Sequence, residues 1–390
     1  MVITGLERVL KEPALLAGTG RLGLLYNQAS VDSGFRIAPD LINMAFPRSL
    51  AALFGPQHGV GGTEQDNMRE TGHGTHPRLG IPIYSLYSQT RRPSAEMLTD
   101  VDTVLIDLQD VGTRVYTFAT TVLFMMEACA AAGKKALILD RPNPINGLLV
   151  EGNVLDPAYS SFVGPFPIPM RHGLTLGELM RLYNEQYGIK CDLKIVPMAG
   201  WNRNEYFEET GLPWVLPSPN MPLVETAVVY PGQVILEGTN LSEGRGTTRP
   251  FEIFGAPFLE PDSIREVLDP ETLRGAILRE VDFKPSFNKW AGELCRGFQI
   301  HVTDRNVFRP YRASLAIISA LLKLYPGDFN WSDPPYEYVH DKLPIDVILG
   351  DDLVRRDLER GRSILDMEKE WQGELERFIK KRSRFLLYPS

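Results

Sequence analysis

The chain has 390 residues, 43% hydrophobic and 23% charged, proportions that suit a globular protein with a substantial core and, at this length, two domains. Lys and Arg number 41 against 49 Asp and Glu, for a net charge of −8, and no basic run beyond Lys380-Lys381-Arg382 offers a phosphate-binding face, so nucleic acid is not an expected partner. Cys129, Cys191 and Cys295 are too widely spaced for a metal knuckle or a disulfide framework. No apolar run approaches the roughly 20 residues that span a bilayer, and the N-terminus lacks a basic-then-apolar leader profile, which makes a cytoplasmic setting the expectation.

Taken in chain order, Gly18-Thr-Gly20-Arg-Leu-Gly23 matches the dinucleotide fingerprint. It precedes the first predicted strand instead of following it, so a pyrophosphate would meet no free helix N-terminus and no cofactor is expected. Apolar runs predict strands over Leu22–Tyr26, Leu50–Phe54, Thr103–Asp107, Ala136–Leu139 and Leu193–Val196, alternating with helical patterns over Ala119–Ala132 and Leu176–Tyr187. Thr175 and Glu178 form a capping box for the second helix. The alternation predicts an α/β fold with a mostly parallel sheet over residues 1–226. Residues 227–390 form a smaller domain, α/β or α+β, opening with an apolar run at Ala227–Leu236 read as a strand. It continues with a strand at Gly297–Val302 and helices at Ala313–Leu324 and Trp371–Lys381.

Ligands of open parallel sheets bind beyond the carboxyl ends of the strands, so the residues after each strand are the informative ones. The first strand ends in Asn27, and the second in Gln57-His58, leading to Glu64, Asp66 and Asn67. The third ends in Asp107, Gln109, Asp110, Arg114 and Tyr116, and the fourth in Asp140, Arg141 and Asn143. Asp and Asn at strand ends often serve only as caps and turns, but these loops also carry Gln, His, Arg and Tyr among Gly and Pro. A fifth cluster, Glu237-Gly-Thr-Asn240-Leu-Ser-Glu243-Gly-Arg245, has too many carboxylates for a phosphate loop and suits a polyol better. Arg171-His172 precede a capped helix, where an anion is favoured. A metal held by His58, Asp66, His73 and His76 is a minority reading, since His73-Gly-Thr-His76 lacks the i, i+4 register of a helical zinc site.

The runs Gly55-Pro-Gln-His-Gly59, Asp107-Leu-Gln-Asp-Val-Gly-Thr-Arg114, Asp140-Arg-Pro-Asn-Pro-Ile-Asn146, Val150-Glu-Gly152, Met170-Arg-His-Gly173, Ser218-Pro-Asn-Met-Pro222, Glu237 to Arg249 and Leu343-Pro-Ile-Asp346 together resemble the NamZ-type exo-β-N-acetylmuramidases. The resemblance spans nearly the whole chain. It implies a Rossmann-like domain, a smaller C-terminal domain, a site in the cleft between them, and removal of non-reducing-end N-acetylmuramic acid from peptidoglycan fragments. It also draws Glu151 and Asn220 into the substrate-binding set. The lactyl carboxylate of that sugar would give Arg171 or Arg245 a purpose. Where the family carries a suspected catalytic Glu in this motif, the present chain has Gln57, and an amide cannot donate a proton as a carboxylic acid does. The acid is therefore expected at Glu64, with Glu243 or Asp110 as its partner. A muropeptide-binding protein without turnover, and a metal-dependent hydrolase using His58 and Asp66, are the competing readings.

Overall fold

The computed structural model describes residues 1–66 and 68–390. Helix α1 (Gly5–Lys11) opens the chain behind a capping box from Thr4 and Glu7, which satisfies backbone N–H groups that the first helical turn leaves free. The strands and helices that follow are β1 (Leu22–Tyr26), α2 (Ala38–Ala45), β2 (Leu50–Gly55), β3 (Gly74–Thr75), β4 (Pro82–Ser85), β5 (Thr103–Asp107), α3 (Phe118–Ala132), β6 (Lys135–Leu139), β7 (Glu151–Val154), β8 (Pro169–Arg171), α4 (Leu176–Gln186) and β9 (Asp192–Val196).

Among the described residues these form a seven-stranded sheet in the order β3-β4-β2-β1-β5-β6-β9. Every neighbouring pair is parallel except β3 and β4. Counted along the chain, the parallel strands follow the order 3-2-1-4-5-6 of doubly wound dinucleotide-type folds. β1, β2 and β5 are buried along their whole length, as strands covered by helices on both faces must be. The sequence expectation of an α/β, Rossmann-like sheet holds, and its strands coincide with β1, β2, β5, β6 and β9. The Gly18–Gly23 segment runs into the start of β1, at the opposite edge from the carboxyl ends of the strands. There Gly20 has φ 67°, and the Arg21 N–H donates to Asp102 Oδ2 at 2.8 Å. A Cβ at Gly20 would come within 2.3 Å of that carboxylate, so the glycine serves close packing.

The rest of the chain comprises α5 (Val224–Gln233), β10 (Ile253–Ala256), α6 (Pro261–Val267), β11 (Ala276–Phe283), β12 (Cys295–Val302), α7 (Pro310–Leu324), α8 (Pro344–Leu349), α9 (Leu353–Glu359) and α10 (Ile364–Arg382). Its antiparallel sheet, β10-β12-β11, with helices beside it, makes this part α+β. One expectation is overturned here: the apolar run Ala227–Leu236 is helix α5 continued by a 3-10 turn over Val234–Gly238. A fully buried helix is apolar all round and carries no period that separates it from a buried strand.

A single hydrophobic cluster runs through both parts, from Val104 and Met126 to Phe254, Leu315 and Phe378. Arg114 ties the parts by donating to the carbonyls of Asn153, Ile168, Ile348 and Leu349. The C-terminus then returns to the large sheet, where Tyr388 Oη donates to Asp140 Oδ2 at 2.5 Å. No helix among the described residues is long and apolar enough to cross a membrane.

Candidate active site

Most strand-end polar groups are spent on holding the sheet edge together. Asp107 takes a two-pronged ion pair from Arg141, Nε at 2.6 Å and Nη2 at 2.8 Å, with both side chains buried. Asn27 Nδ2 donates to the Pro217 carbonyl, and Gln109 Nε2 to those of Asp110 and Pro142. Asp140 accepts from Thr175 Oγ1 and the Gly177 N–H at the start of α4, while Asn143 bridges Leu174 and Ile145. Asp110 accepts from the Gly112 N–H and lies 3.9 Å from His172. Burial pushes its carboxyl up to about 7 and the His172 imidazole down to about 3. These groups build the scaffold under the cleft and do not line it.

The cavity itself is narrow, about 40 Å³, and partly open to solvent. The β2 loop contributes Gln57 and His58, and the stretch before α3 contributes Tyr116 and Thr117. Ser218 and Asn220 come from the segment ahead of α5, and the C-terminal part supplies Tyr230, Glu237, Arg245, Phe251, Tyr336 and Glu337. Thr117 Oγ1 donates to Gln57 Oε1 at 2.6 Å, which turns Gln57 Nε2 toward Glu337 Oε1 at 3.2 Å. Tyr87 Oη donates to the other Glu337 oxygen at 2.9 Å. Opposite charges surround Glu237, where Arg245 Nη2 donates to Oε1 at 2.6 Å and Tyr336 Oη to Oε2 at 2.7 Å. Arg245 also reaches Glu243 at 3.2 Å, and Lys289 Nζ meets Glu243 at 2.9 Å.

The two cavity glutamates are thereby driven apart in acidity. Burial raises Glu337 above the usual carboxylic range, with the nearby Glu237 charge adding to it and the bonds from Tyr87 and Gln57 opposing it. Burial acts the same way on Glu237, but the charge and hydrogen bond of Arg245, with Tyr336 and Lys289, outweigh it and hold that carboxyl low. Environments that bias two carboxyl groups in opposite directions are the pattern by which one site divides acid and anion roles between them. His58 Nδ1 lies 2.6 Å from the Glu64 carbonyl, so it carries the proton and leaves Nε2 as an acceptor. Burial pushes the ring down to about 4, so it is neutral at pH 7. Arg245 Nη1 and Asn220 Oδ1 are buried without a protein hydrogen-bond partner, a donor and an acceptor positioned for a ligand.

Of the residues expected from sequence, Gln57, His58, Tyr116, Asn220, Glu237 and Arg245 line this cavity, and Glu243 stands behind Arg245. Glu64 enters the surroundings through its backbone carbonyl, and its side chain is not in the lining. Asp66 meets Asn288 Nδ2 at 3.1 Å, and Asn67 lies outside the described residues. Asn240 ties down the Asp328–Asn330 loop, and Glu151 accepts from the Arg312 N–H at 3.0 Å. Arg171 donates to the Ile145 carbonyl and to Asn146 Oδ1. His73 and His76 accept backbone N–H groups of Ser85 and Leu79, and among the described residues no three His, Cys, Asp or Glu side chains gather as a metal-holding group. Glu337 and Tyr336 were not singled out from sequence, because they follow no strand. The one local signal is a glutamate flanked by tyrosines after Pro334-Pro335.

A doubly wound sheet joined to a smaller α+β part, with two glutamates in the cavity lined by both, defines a two-part α/β protein with a polar cleft site. The family model for the N-terminal domain of the exo-β-N-acetylmuramidase NamZ matches residues 22–225, and that for its C-terminal domain matches residues 228–388. The chain belongs to the NamZ exo-β-N-acetylmuramidase family. It is 41% identical over 387 residues to the peptidoglycan β-N-acetylmuramidase NamZ of Bacillus subtilis (strain 168), covering 99% of this chain and 91% of that protein. A crystal structure of a DUF1343 family protein from Bacteroides fragilis NCTC 9343 superposes with a TM-score of 0.88 at 33% identity, covering 99% of both chains. A second such protein from the same organism gives 0.78 at 29%, covering 100% of this chain and 99% of that one.

Proposed function

We propose that the protein is an exo-acting β-N-acetylmuramidase that releases N-acetylmuramic acid from the non-reducing end of peptidoglycan-derived fragments, with the Glu237–Glu337 cavity as its active site. The observation that carries this reading is the pair of glutamates in one cavity, Glu237 ion-paired to Arg245 at 2.6 Å and Glu337 hydrogen-bonded by Gln57 and Tyr87 at 3.2 and 2.9 Å. Glycoside hydrolysis uses such a pair, the acid protonating the leaving oxygen and the anion answering the positive charge that builds at C1. Of the two arginines considered for the lactyl carboxylate, Arg171 is committed to the 145–146 loop. Arg245 lines the cavity, which Arg171 does not, and its Nη1 has no protein hydrogen-bond partner, so the lactyl group is assigned to Arg245. Three free, buried cysteines suit a reducing compartment, and a cytoplasmic location belongs to the same proposal.

Release of N-acetylmuramic acid from a para-nitrophenyl glycoside and from a muramyl-ended disaccharide tests the activity. Wild-type protein that binds the sugar tightly and turns over neither substrate would sink the enzyme reading in favour of binding alone, a reading that Gln57 favours. Arg245→Lys keeps a positive charge beside Glu237 and Glu243 but removes the Nη1 donor. It is expected to raise KM for the muramyl glycoside about tenfold, the worth of one charge-assisted hydrogen bond. The N-acetylglucosamine analogue should change much less, and equal losses on both sugars would remove the lactyl assignment.

A further inference from the structure

We propose that Glu337 is the proton donor of this reaction, delivered into the cavity by the Tyr336–Val339 turn and held there across a hydrogen bond from Gln57. The inference rests on the muramidase reading above and deepens it. Gln57 sits in the cavity but has no proton to give to a leaving oxygen, whereas Glu337 has a buried carboxyl group 3.2 Å from its amide. The bonds from Gln57 and Tyr87 occupy one site on each carboxyl oxygen. A carboxyl group has about four such sites, so room remains for an O–H aimed at a substrate.

The turn carrying Glu337 is built against local preference. Tyr336 and Val339 pair through two backbone hydrogen bonds, 3.0 and 2.9 Å, and the two residues between them have φ of 43° for Glu337 and 68° for Tyr338. Hairpin turns of this shape normally use Asn and Gly, because larger side chains resist positive φ. The strain is held in place from the sheet side: the Arg91 guanidinium lies 3.0 Å from the centroid of the Tyr338 ring, and Tyr87 meets the same ring edge-on. Backbone strain that the surroundings enforce collects at functional sites, and here it aims one carboxyl group at the cavity.

In the step itself the Glu337 O–H passes its proton to the glycosidic oxygen as the C1–O bond breaks, and the bonding pair stays on that oxygen. The aglycone leaves as an alcohol. Water adds to C1 and gives up one proton, which returns to the Glu337 carboxylate, so the net change is the addition of one water.

A proton donor matters for a poor leaving group and hardly at all for a good one, whereas a purely structural defect affects both. Glu337→Gln is therefore to be assayed on a muramyl disaccharide with a sugar leaving group and on a dinitrophenyl muraminide. The expected result is a loss of about 10²- to 10⁴-fold on the disaccharide, the usual worth of general acid catalysis, with less than about tenfold on the activated substrate. Moving the carboxyl across the hydrogen bond, in Q57E/E337Q, should recover part of the lost disaccharide turnover. Equal losses on both substrates, undiminished turnover in Glu337→Gln, or a double variant no better than the single one overturns the assignment. Wild-type protein inert toward both substrates instead removes the muramidase reading and the assignment with it.

Discussion

His58 has φ 70°, a left-handed conformation uncommon for residues other than glycine, and the 2.6 Å contact with the Glu64 carbonyl helps hold it there. What position 64 supplies at this point is backbone, which any side chain provides. Glu64→Gln is accordingly expected to keep kcat/KM within about threefold of wild type, the scale of a substitution away from buried contacts. A hundredfold drop would return the proton donor to Glu64. The contrast with Glu337 shows what single-residue reasoning can reach. Gln57, His58, Glu237 and Arg245 stand out in the sequence because polar residues crowd a Gly-rich loop there. Glu337 gains its chemistry only from neighbours 280 and 250 residues away in the chain, Gln57 and Tyr87.

At the scale of elements, α5 illustrates how a correct hydrophobic reading can yield the wrong structure. All its residues but Glu225 are buried, so the pattern lacks the stripe that identifies a surface helix. What commits the run to a helix is its packing on α7. Gly232 faces the start of that helix so closely that a Cβ would lie 1.9 Å from the Pro310 carbonyl oxygen. Backbone cannot yield there, so Gly232→Ala must push the two helices apart. A cost of about 1–3 kcal/mol, typical of overpacking, should appear as a lowered urea midpoint. An unchanged midpoint would mean that the interface is looser than described. The 3-10 turn that follows α5 carries Glu237, so turnover is expected to fall along with stability.

For the molecule as a whole, the buried ionisable groups set opposing pH limits on stability. Burial pushes Glu151 up to about 7, so between about 4.5 and 7 the folded protein holds a proton that the unfolded chain has released. Its favourable contribution is complete below the unfolded value and is lost as pH rises through 7. His58 and His172, pushed down to about 4 and 3, act in the other direction, since stability falls as pH drops below about 6.5 and the unfolded imidazoles take up protons. Asp110 and Asp140, pushed up to about 7 and about 6, act in the same direction as Glu151, and Glu151→Gln removes only its own share of that limb. Relative to wild type, the variant should gain stability from pH 5 to pH 8, by up to about 3 kcal/mol at about 1.4 kcal/mol per unit. A stability difference that does not vary with pH would refute this account of Glu151. The same scale separates the two sources of information about this protein. The amino-acid order by itself determined the parallel sheet, because strands buried on both faces read as short apolar runs between capped helices, and it determined the family, because long polar motifs recur along the chain. Only the tertiary structure decided which polar residues are scaffold and which face the cavity: Asp107, Asp140 and Arg171 are as polar and as fully partnered as Glu237 and Glu337, and what distinguishes the two glutamates is that their partners hold them at the cavity wall.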